Sequence, residues 1–281
     1  MNNKNIMIVG AGGSLGRLLC DDLNKNDYKI VAVDINENSM AYLHRIYGIP
    51  EKQIYVEDVR DFYRLKNIID YHKIDIVINC AALKHVMWCE YNIKHAIDIN
   101  IISNLELINY LRKVKKKFVF ISSDKAICPK NIYALTKQFT DYITRMYNFR
   151  IVRGVNFIKS KGSVLDIWRE QKDNKKPFTV VKNEKCNRYF ITILDMVNLV
   201  KESIENDSDK IEFVPKVIYK IYVADLFNAF LKINNLSYEK LDKEGRIKEI
   251  ILPDIEKIAE DIDFKTKIIE IRNIEKIIKL I

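Results

Sequence analysis

The sequence contains few of the residues and patterns that mark several classes of protein. Glycine occurs eight times and proline five times in 281 residues, far less than in collagen-like or low-complexity chains. The five cysteines form no CxxC pair and no paired spacing, so we expect neither a disulfide scaffold nor a metal site. These absences favour a packed globular protein in a reducing cytoplasm.

Long hydrophobic runs are also missing. The apolar start IMIV ends at Gly10, which is too short for the hydrophobic core of a signal peptide. No run approaches the roughly 20 apolar residues that cross a bilayer. We therefore expect a soluble, cytoplasmic protein with no membrane partner.

Charge of one sign is only moderately in excess. The chain has 47 basic and 38 acidic residues, for a formal net charge of +9. Runs such as RKVKKK, residues 112–117, are found in nucleic-acid-binding proteins, but here the basic residues are spread along the chain and mixed with acids. We expect no nucleic-acid partner, and an anionic small substrate suits the charge equally well.

Short apolar runs rich in β-branched residues alternate with longer amphipathic segments in the first half of the chain. Strands that are apolar on both faces indicate a parallel sheet covered by helices on both sides. The pattern therefore predicts an α/β fold with a doubly wound parallel sheet. The six predicted strands span residues 5–9, 29–34, 53–56, 74–80, 117–122 and 150–155.

The alternation weakens after residue 156, where predicted helices at 164–172, 193–206 and 223–234 lie among short mixed elements. We predict two domains, because 281 residues with 48% hydrophobic content suffice for one large core and a smaller one. Residues 1–155 form the first, and residues 156–281 form a smaller C-terminal lobe that covers the substrate. The helix at 193–206 is able to pack back on the first domain.

Four of the eight glycines fall in the segment IVGAGGSLG. This loop follows the first predicted strand and opens the first helix, where glycines let backbone N–H groups approach a pyrophosphate. Gly10, Gly13 and Gly16 form GxxGxxG, a spacing variant of the dinucleotide fingerprint. We predict cofactor binding by these glycines with Ser14 and Leu15, and a purely structural glycine turn is the alternative.

Residues at the ends of the next strands extend the predicted cofactor site. Asp34 ends the second strand, where a carboxylate accepts hydrogen bonds from both ribose hydroxyls and repels a 2′-phosphate. It therefore favours NAD over NADP, and a helix cap is the alternative. Asp58 and Val59 end the third strand and are predicted to contact adenine. Ala81 follows the fourth strand and leaves room for the cofactor.

The segment SSDKAICPKNIYALTK, residues 122–137, follows the fifth predicted strand. Ligands of doubly wound sheets bind at the carboxyl ends of the strands, so Ser123, Asp124 and Lys125 are delivered to the crevice. Tyr133 and Lys137 lie four residues apart on one face of a predicted helix. There the lysine ammonium favours the phenolate and also reaches the cofactor ribose. We predict that these five residues lie together at the crevice, with Tyr133 and Lys137 contacting the cofactor.

The glycine loop, Ser123 and the YxxxK motif together resemble the extended short-chain dehydrogenase/reductase (SDR) family. Four segments narrow the resemblance to nucleotide-sugar 4,6-dehydratases, and within them to the inverting UDP-N-acetylglucosamine 4,6-dehydratases of flagellin and capsule sugar biosynthesis. These segments are CAALKHVMWCEYN (80–92), SSDKAICPKNIYALTK (122–137), KSKGSV (159–164) and NRYFIT (187–192). The resemblance begins at residue 5 and continues to about residue 230.

The resemblance implies a role for each matched residue. Tyr133 would take the proton of the sugar 4-hydroxyl while C4 passes a hydride to NAD or NADP, and Ser123 would bind the 4-oxygen. Asp124 and Lys125 would act as acid and base at C5 and C6, in an order that the sequence leaves open. The resemblance also implies a homo-oligomer formed through helices near 92–114 and 131–148. The substrate-binding residues would be Lys84, His85, Asn156 and Arg188.

The chain departs from the family pattern at three places. Asp34 is followed by Ile35 where NADP-using relatives carry a small polar residue and an arginine, which again favours NAD. The family's Arg-Pro-Gly-Glu-Lys segment is missing from residues 234–258, and Asn187 replaces a threonine. A UDP-sugar therefore rests on the resemblance alone. The alternatives are a 4-epimerase or keto-sugar reductase, which needs no C5 base, and a non-catalytic nucleotide-binding protein.

Overall fold

The structure is a computed structural model that describes residues 4–182, 185–252 and 266–281. The chain divides into two units. The first unit comprises Met1–Gly154 and Met196–Val214, and the second comprises Val155–Asp195 and Pro215–Ile281.

The first unit contains a seven-stranded sheet in which every pair of neighbouring strands is parallel. Its strands are β1 (Asn5–Val9), β2 (Lys29–Asp34), β3 (Ile54–Val56), β4 (Ile76–Asn79), β5 (Lys117–Ser123), β6 (Arg150–Gly154) and β10 (Glu212–Phe213). The order across the sheet is β10-β6-β5-β4-β1-β2-β3. The predicted doubly wound fold is confirmed.

Helices follow the strands of this sheet. They are α1 (Ser14–Lys25), α2 (Glu37–Tyr47), α3 (Phe62–Tyr71), α4 (Val86–Tyr91), α5 (Ile93–Ile97), α6 (Ser103–Lys113), α7 (Ile132–Met146) and α9 (Ile193–Glu205). Several begin where the sequence supplies a cap, since the side chains of Asn36, Asp61 and Asn131 accept a hydrogen bond from the first turn of the helix that follows each. The buried faces of α3, α6 and α7 share one core with β1, β2, β4 and β5.

The strand order reverses between β1 and β4. The chain runs outward from β1 through β2 to β3, and then returns to the other side of β1 with β4, β5 and β6. Such a reversal opens a crevice at the carboxyl ends of the central strands, because the connecting loops diverge there. The loops after β1, β4 and β5 therefore meet at the crevice.

The second unit has its own sheet and core. Its strands are β7 (Asn156–Ile158), β8 (Phe178–Val181), β9 (Asn187–Thr192), β11 (Val217–Tyr222), β12 (Ile247–Ile250) and β13 (Lys267–Ile271). Four strands form a mixed sheet in the order β13-β11-β9-β7, and β12 pairs with β8. Its helices are α8 (Val164–Asp173), α10 (Val223–Ile233), α11 (Tyr238–Lys243) and α12 (Ile274–Leu280). The fully buried Trp168 packs on Phe227 and Phe230 in the core.

Two features of the structure differ from the sequence prediction, and part of one predicted segment is not described. The helix predicted near 92–114 is divided into α5, a π-helical turn at Asp98–Ile102 and α6. The seventh strand, β10, is too short to stand out as an apolar run. The last part of the segment 234–258, from residue 253 onward, lies outside the described residues.

Candidate functional site

The glycine loop between β1 and α1 is closely packed on one side. Gly10 has a φ of +79°, and a Cβ there would lie 2.5 Å from the Ala81 nitrogen. A Cβ on Gly16 would lie 2.2 Å from the Gly10 oxygen. Side chains are therefore excluded at both positions. These contacts place the loop against the end of β4, beside Ala81, the residue that was predicted to leave room for the cofactor.

The other side of the loop fits a pyrophosphate. Gly13 occupies the N-cap of α1 and brings no side chain to cap the first-turn N–H groups of Ser14, Leu15 and Gly16. A Cβ on Gly13 would meet one atom within 4 Å, the Gly10 oxygen at 3.3 Å. Backbone donors at a helix N-terminus are the features that bind phosphate groups.

Asp34 contacts the same loop from the end of β2. Its Oδ2 accepts a hydrogen bond of 2.9 Å from the Gly12 N–H, and its Oδ1 accepts one of 2.9 Å from the Asn36 N–H. The carboxylate is therefore fixed in position, with lone pairs remaining for ribose hydroxyls. It occupies the place predicted for the ribose contact.

Asp58 and Val59 follow β3, as predicted. Arg60 donates a hydrogen bond of 3.0 Å from its Nε to Asp58 Oδ1. This hydrogen bond is the main cause that lowers the pKa of Asp58 below its ordinary value. Val59 is buried in the core. The adenine contact of these two residues remains a prediction.

Ser123, Asp124 and Lys125 form a connected group at the end of β5. The Ser123 hydroxyl donates to Asp124 Oδ1 at 2.7 Å, and Lys125 Nζ donates to the same oxygen at 3.1 Å. Asp124 is buried, whereas the Lys125 side chain is 30% exposed. The structure thus holds a carboxylate and an ammonium in contact at the carboxyl edge of the sheet.

Tyr133 and Lys137 lie on the first two turns of α7, one turn apart. Burial raises the pKa of Tyr133 above its ordinary value, the Ser123 side chain opposes this through a hydrogen bond, and the Asp124 charge adds to it. Burial lowers the pKa of Lys137 to about 8, and the Asp141 carboxylate opposes that shift. Ser123 and Lys125 are thus both hydrogen-bonded to Asp124, and the Ser123 side chain and the Asp124 charge both act on the pKa of Tyr133.

A buried ion pair behind these residues escaped the sequence analysis. Arg153 on β6 is 3% exposed, and its Nη1 lies 2.8 Å from Asp141 Oδ2 on α7. Burial alone would lower the pKa of Arg153, but Asp141 and Glu212 raise it above the ordinary value. The sequence did hold a signal, because an arginine within the apolar run RIVRGV requires a buried partner.

An asparagine network supports the loop after β4 and also escaped the sequence analysis. Asn100, in the π-helical turn, accepts a hydrogen bond of 2.9 Å from the Leu83 N–H and donates one of 3.0 Å to the Leu83 oxygen. It also donates to Thr136 on α7 at 3.0 Å. Asn104 accepts a hydrogen bond of 2.8 Å from Asn79 at the end of β4. The loop is thereby tied to α7.

Lys84 and His85 lie in this supported loop, immediately before α4. Both side chains are exposed. The first unit therefore contains these two predicted substrate-binding residues together with the catalytic group, while Asn156 and Arg188 belong to the second unit.

In the second unit, Asn156 and Arg188 lie on neighbouring parallel strands, β7 and β9. Asn156 Nδ2 donates to the Tyr189 oxygen at 2.7 Å, and Arg188 Nη1 donates to the Asn187 oxygen at 2.8 Å. Their contacts with the substrate diphosphate remain predictions.

A family model described as polysaccharide biosynthesis protein matches residues 6–281. The chain belongs to this family. The match confirms the resemblance to extended SDR nucleotide-sugar dehydratases.

Relatives with curated names extend this finding. An uncharacterized membrane protein of Methanocaldococcus jannaschii is 31% identical over 98% of this chain and 77% of its own length. An inverting UDP-N-acetylglucosamine 4,6-dehydratase of Campylobacter jejuni is 28% identical over 85% of this chain and 73% of its own length. This chain is similar to both over most of its length.

Solved structures support the fold. The dTDP-glucose 4,6-dehydratase DesIV of Streptomyces venezuelae, solved with NAD bound, superposes with a TM-score of 0.81 at 13% identity. The similarity covers 92% of this chain and 88% of that one. At this identity the comparison establishes the architecture alone.

Two findings concern the residues that the structure describes. None of the helices there is both long and apolar enough to span a membrane. The same residues contain no group of three or more His, Cys, Asp or Glu side chains arranged to hold a metal ion.

Proposed function

We propose that the protein is a nucleotide-sugar 4,6-dehydratase that converts UDP-N-acetylglucosamine to a UDP-4-keto-6-deoxy-N-acetylhexosamine, with inversion at C5, for surface polysaccharide or glycan biosynthesis. The observation that carries the proposal is the contact of 3.1 Å between Lys125 Nζ and Asp124 Oδ1, joined to Tyr133 through Ser123. A 4,6-dehydration needs an acid and a base beside the C4 chemistry, and this group of residues supplies both.

The first unit provides residues to hold a dinucleotide. Gly13 and the first-turn N–H groups of α1 would bind the pyrophosphate, and Asp34 would bind the adenosine ribose. Lys137 would bind the other ribose. When bound, the oxidised nicotinamide supplies the acceptor for the C4 hydride and, once reduced, the donor of a hydride to C6.

At C4 the chain itself moves one proton. Tyr133 would take the proton of the 4-hydroxyl, leaving a ketone, and Ser123 would hold the 4-oxygen. The Asp124 charge raises the pKa of Tyr133 and thus disfavours the phenolate, whereas the Ser123 side chain favours it.

At C5 and C6 the Asp124–Lys125 pair would carry out the elimination. The 4-ketone makes the C5 proton acidic, and departure of the C6 hydroxyl requires a proton. One proton can transfer between Lys125 Nζ and Asp124 Oδ1 along their hydrogen bond. Whichever residue takes the C5 proton, the other therefore carries the proton that leaves with the C6 hydroxyl as water.

The principal alternative is a 4-epimerase on the same fold, which would use Tyr133 and leave C5 untouched. The 4,6-dehydratase and 4-epimerase reactions are distinguished by incubating the protein with UDP-N-acetylglucosamine and NAD in deuterated water and following the sugar by proton NMR. We expect loss of the C6 hydroxymethyl signals, a new methyl group and deuterium at C5, with ring couplings that report inversion. Epimerisation at C4 without deuterium at C5 would support the alternative, and an unchanged sugar would contradict both.

We also propose that NAD is the working cofactor. Asp34 is already bound by two backbone N–H groups, so its charge cannot readily move away from a 2′-phosphate. Titration calorimetry should give an affinity for NAD at least about tenfold higher than for NADP, a difference of about 1.4 kcal/mol. Equal affinities for NAD and NADP would rule out a role of Asp34 in selecting NAD.

A stripe of exposed apolar residues on α7 supports self-association, with a second copy of this chain as the partner. Leu135, Phe139, Tyr142 and Met146 form an exposed stripe at helical spacing, and Ile93 and Ile97 are exposed on the neighbouring α5. The opposite face of α7 is buried in the first unit. An apolar surface of this kind on a soluble domain is typical of a protein interface.

A further inference from the structure

Arg153 places a charge inside the parallel sheet. Its Nε donates to Glu212 Oε1 at 2.6 Å, and its Nη1 donates to Asp141 Oδ2 at 2.8 Å. A buried cation is stable when it is paired and its donors are satisfied. Two carboxylates, one on β10 and one on α7, therefore hold the guanidinium in one orientation.

The same guanidinium contacts the strand that carries the candidate catalytic residues. Nη1 donates to the backbone oxygen of Ser123 at 2.9 Å and to the hydroxyl of Ser122 at 3.1 Å. The parallel register of β5 and β6 accounts for this, because Ser122 is the direct partner of Arg153. The end of β5 is thus fixed just before Asp124.

Asp141 connects the ion pair to the other half of the site. It lies one helical turn after Lys137 and two turns after Tyr133 on α7, and it is 4% exposed. Arg153 therefore bridges β5, which presents Ser123, and α7, which presents Tyr133 and Lys137. A fixed bridge of this kind sets the relative position of groups from two elements.

On the basis of the proposed function, we propose that Arg153 is a positioning residue for the reaction at Tyr133. It fixes Ser123 relative to Tyr133 and Lys137, and it compensates the charge of Asp141 next to Lys137. It is not a catalytic residue, because its contacts are with Ser122, Ser123 and two carboxylates and not with the reacting groups.

The charge of Arg153 also bears on the ionisation of Lys137. The titratable groups that act on Lys137 are Asp141 on the same helix, the Cys80 thiol after β4 and the Cys89 thiol on α4. Of these, Asp141 is the carboxylate, and it favours the protonated form of Lys137. Burial raises the pKa of Asp141 and the Arg153 cation opposes that shift, so loss of Arg153 would change the charge that Asp141 presents to Lys137 and with it the titration of Lys137.

Three variants test the inference. Arg153→Met keeps an unbranched apolar stem and removes the charge and the donors, whereas Arg153→Lys keeps the charge and removes the planar guanidinium with its paired N–H donors. Arg145→Met is the matched control, because Arg145 also binds Glu212, at 3.0 Å, but is half exposed and lies at the far end of α7. For each variant, kcat and KM for the nucleotide sugar and the titration of Lys137 are measured. The titration is followed by the 13Cε chemical shift of the lysine, assigned by its loss in Lys137→Met.

We expect Arg153→Met to lower kcat about 100-fold with little change in KM, as for a misplacement of about 1 Å, and to shift the Lys137 titration. Arg153→Lys should lower kcat while the titration stays at its wild-type position. Arg145→Met should change neither. A wild-type kcat in Arg153→Lys, or an unshifted titration in Arg153→Met, would overturn the inference.

Two further outcomes are distinguishable. If Arg153→Met does not fold, Arg153→Lys decides through its kcat, since its retained charge still pairs Asp141. If the wild-type protein converts no nucleotide sugar, the proposed function fails, while the Lys137 titration in Arg153→Met and Arg145→Met still decides whether Arg153 acts on the site.

Discussion

The ammonium of Lys137 donates a hydrogen bond of 2.8 Å to the backbone oxygen of Ile121. Lys137 is 4% exposed, and its Nζ lies 4.5 Å from the centre of the Phe120 ring. A single carbonyl and an aromatic face compensate only part of the hydration that the ammonium has lost. The folded chain therefore holds this proton less tightly than the unfolded chain does.

This relationship predicts a pH dependence of stability. The pKa of Lys137 is about 8 in the folded chain, against an ordinary value of 10.5. Between these pH values the unfolded chain binds a proton that the folded chain lacks, so the contribution of Lys137 to the free energy of unfolding rises with pH. Lys137→Met should remove this rise. Urea unfolding of both proteins from pH 7 to 10 measures it, and parallel curves would contradict the burial of a charged Lys137.

Lys125 should be required for elimination and not for cofactor binding. Lys125→Met removes the ammonium that contacts Asp124, so formation of the 6-deoxy product should fall by about 100- to 10,000-fold. The affinity for NAD, measured by calorimetry, should stay at its wild-type value. Lys130→Met, an exposed lysine in the same loop, is the control and should retain full turnover. Undiminished turnover in Lys125→Met would exclude Lys125 from the chemistry.

The two sides of the glycine loop should respond differently to one added methyl group. In Gly16→Ala the Cβ would lie 2.2 Å from the Gly10 oxygen, so the free energy of unfolding should fall by about 1–3 kcal/mol. In Gly13→Ala the Cβ meets only that oxygen, at 3.3 Å, so stability should be nearly unchanged while the affinity for NAD falls. Thermal unfolding and calorimetry measure the two effects. Normal NAD binding by Gly13→Ala would argue against a pyrophosphate at this loop.

A charge in the exposed stripe on α7 should separate the copies of the chain. Phe139 is 51% exposed in the middle of the stripe, and Phe139→Glu would place a carboxylate in the proposed interface. Light scattering at micromolar concentration should give an oligomer for the wild type and a monomer for the variant. Tyr63→Glu, which changes an exposed aromatic residue on α3, should leave the oligomer intact. A wild-type monomer would refute the self-association.

The sequence predicted six of the seven strands of the first unit, because each of the six is apolar on both faces and lies between helices of the expected length. β1 and β2 have the predicted bounds, and β5 ends at Ser123, one residue beyond its prediction. The helical spacing of Tyr133 and Lys137 likewise needed only local information. These features depend on neighbouring residues in the chain, which the sequence displays directly.

The contacts around Arg153 depend on more distant relationships. Its pairing with Ser122 follows from the register of two strands, and its pairing with Asp141 follows from the packing of α7 on the sheet. Glu212 reaches it from β10, which is 59 residues further along the chain. A sequence read locally displays an arginine in an apolar run but does not identify its partners.

The π-helical turn at Asp98–Ile102 constrains any redesign of this chain. A π turn contains one residue more than an α-helical turn, so deleting one residue there would restore regular winding. The deletion would also remove the local widening of the helix at Asn100. Asn100 would then no longer reach both backbone groups of Leu83. A more regular helix would thus release the loop that carries Lys84 and His85. A deletion that stabilised this helix would therefore disrupt the candidate site.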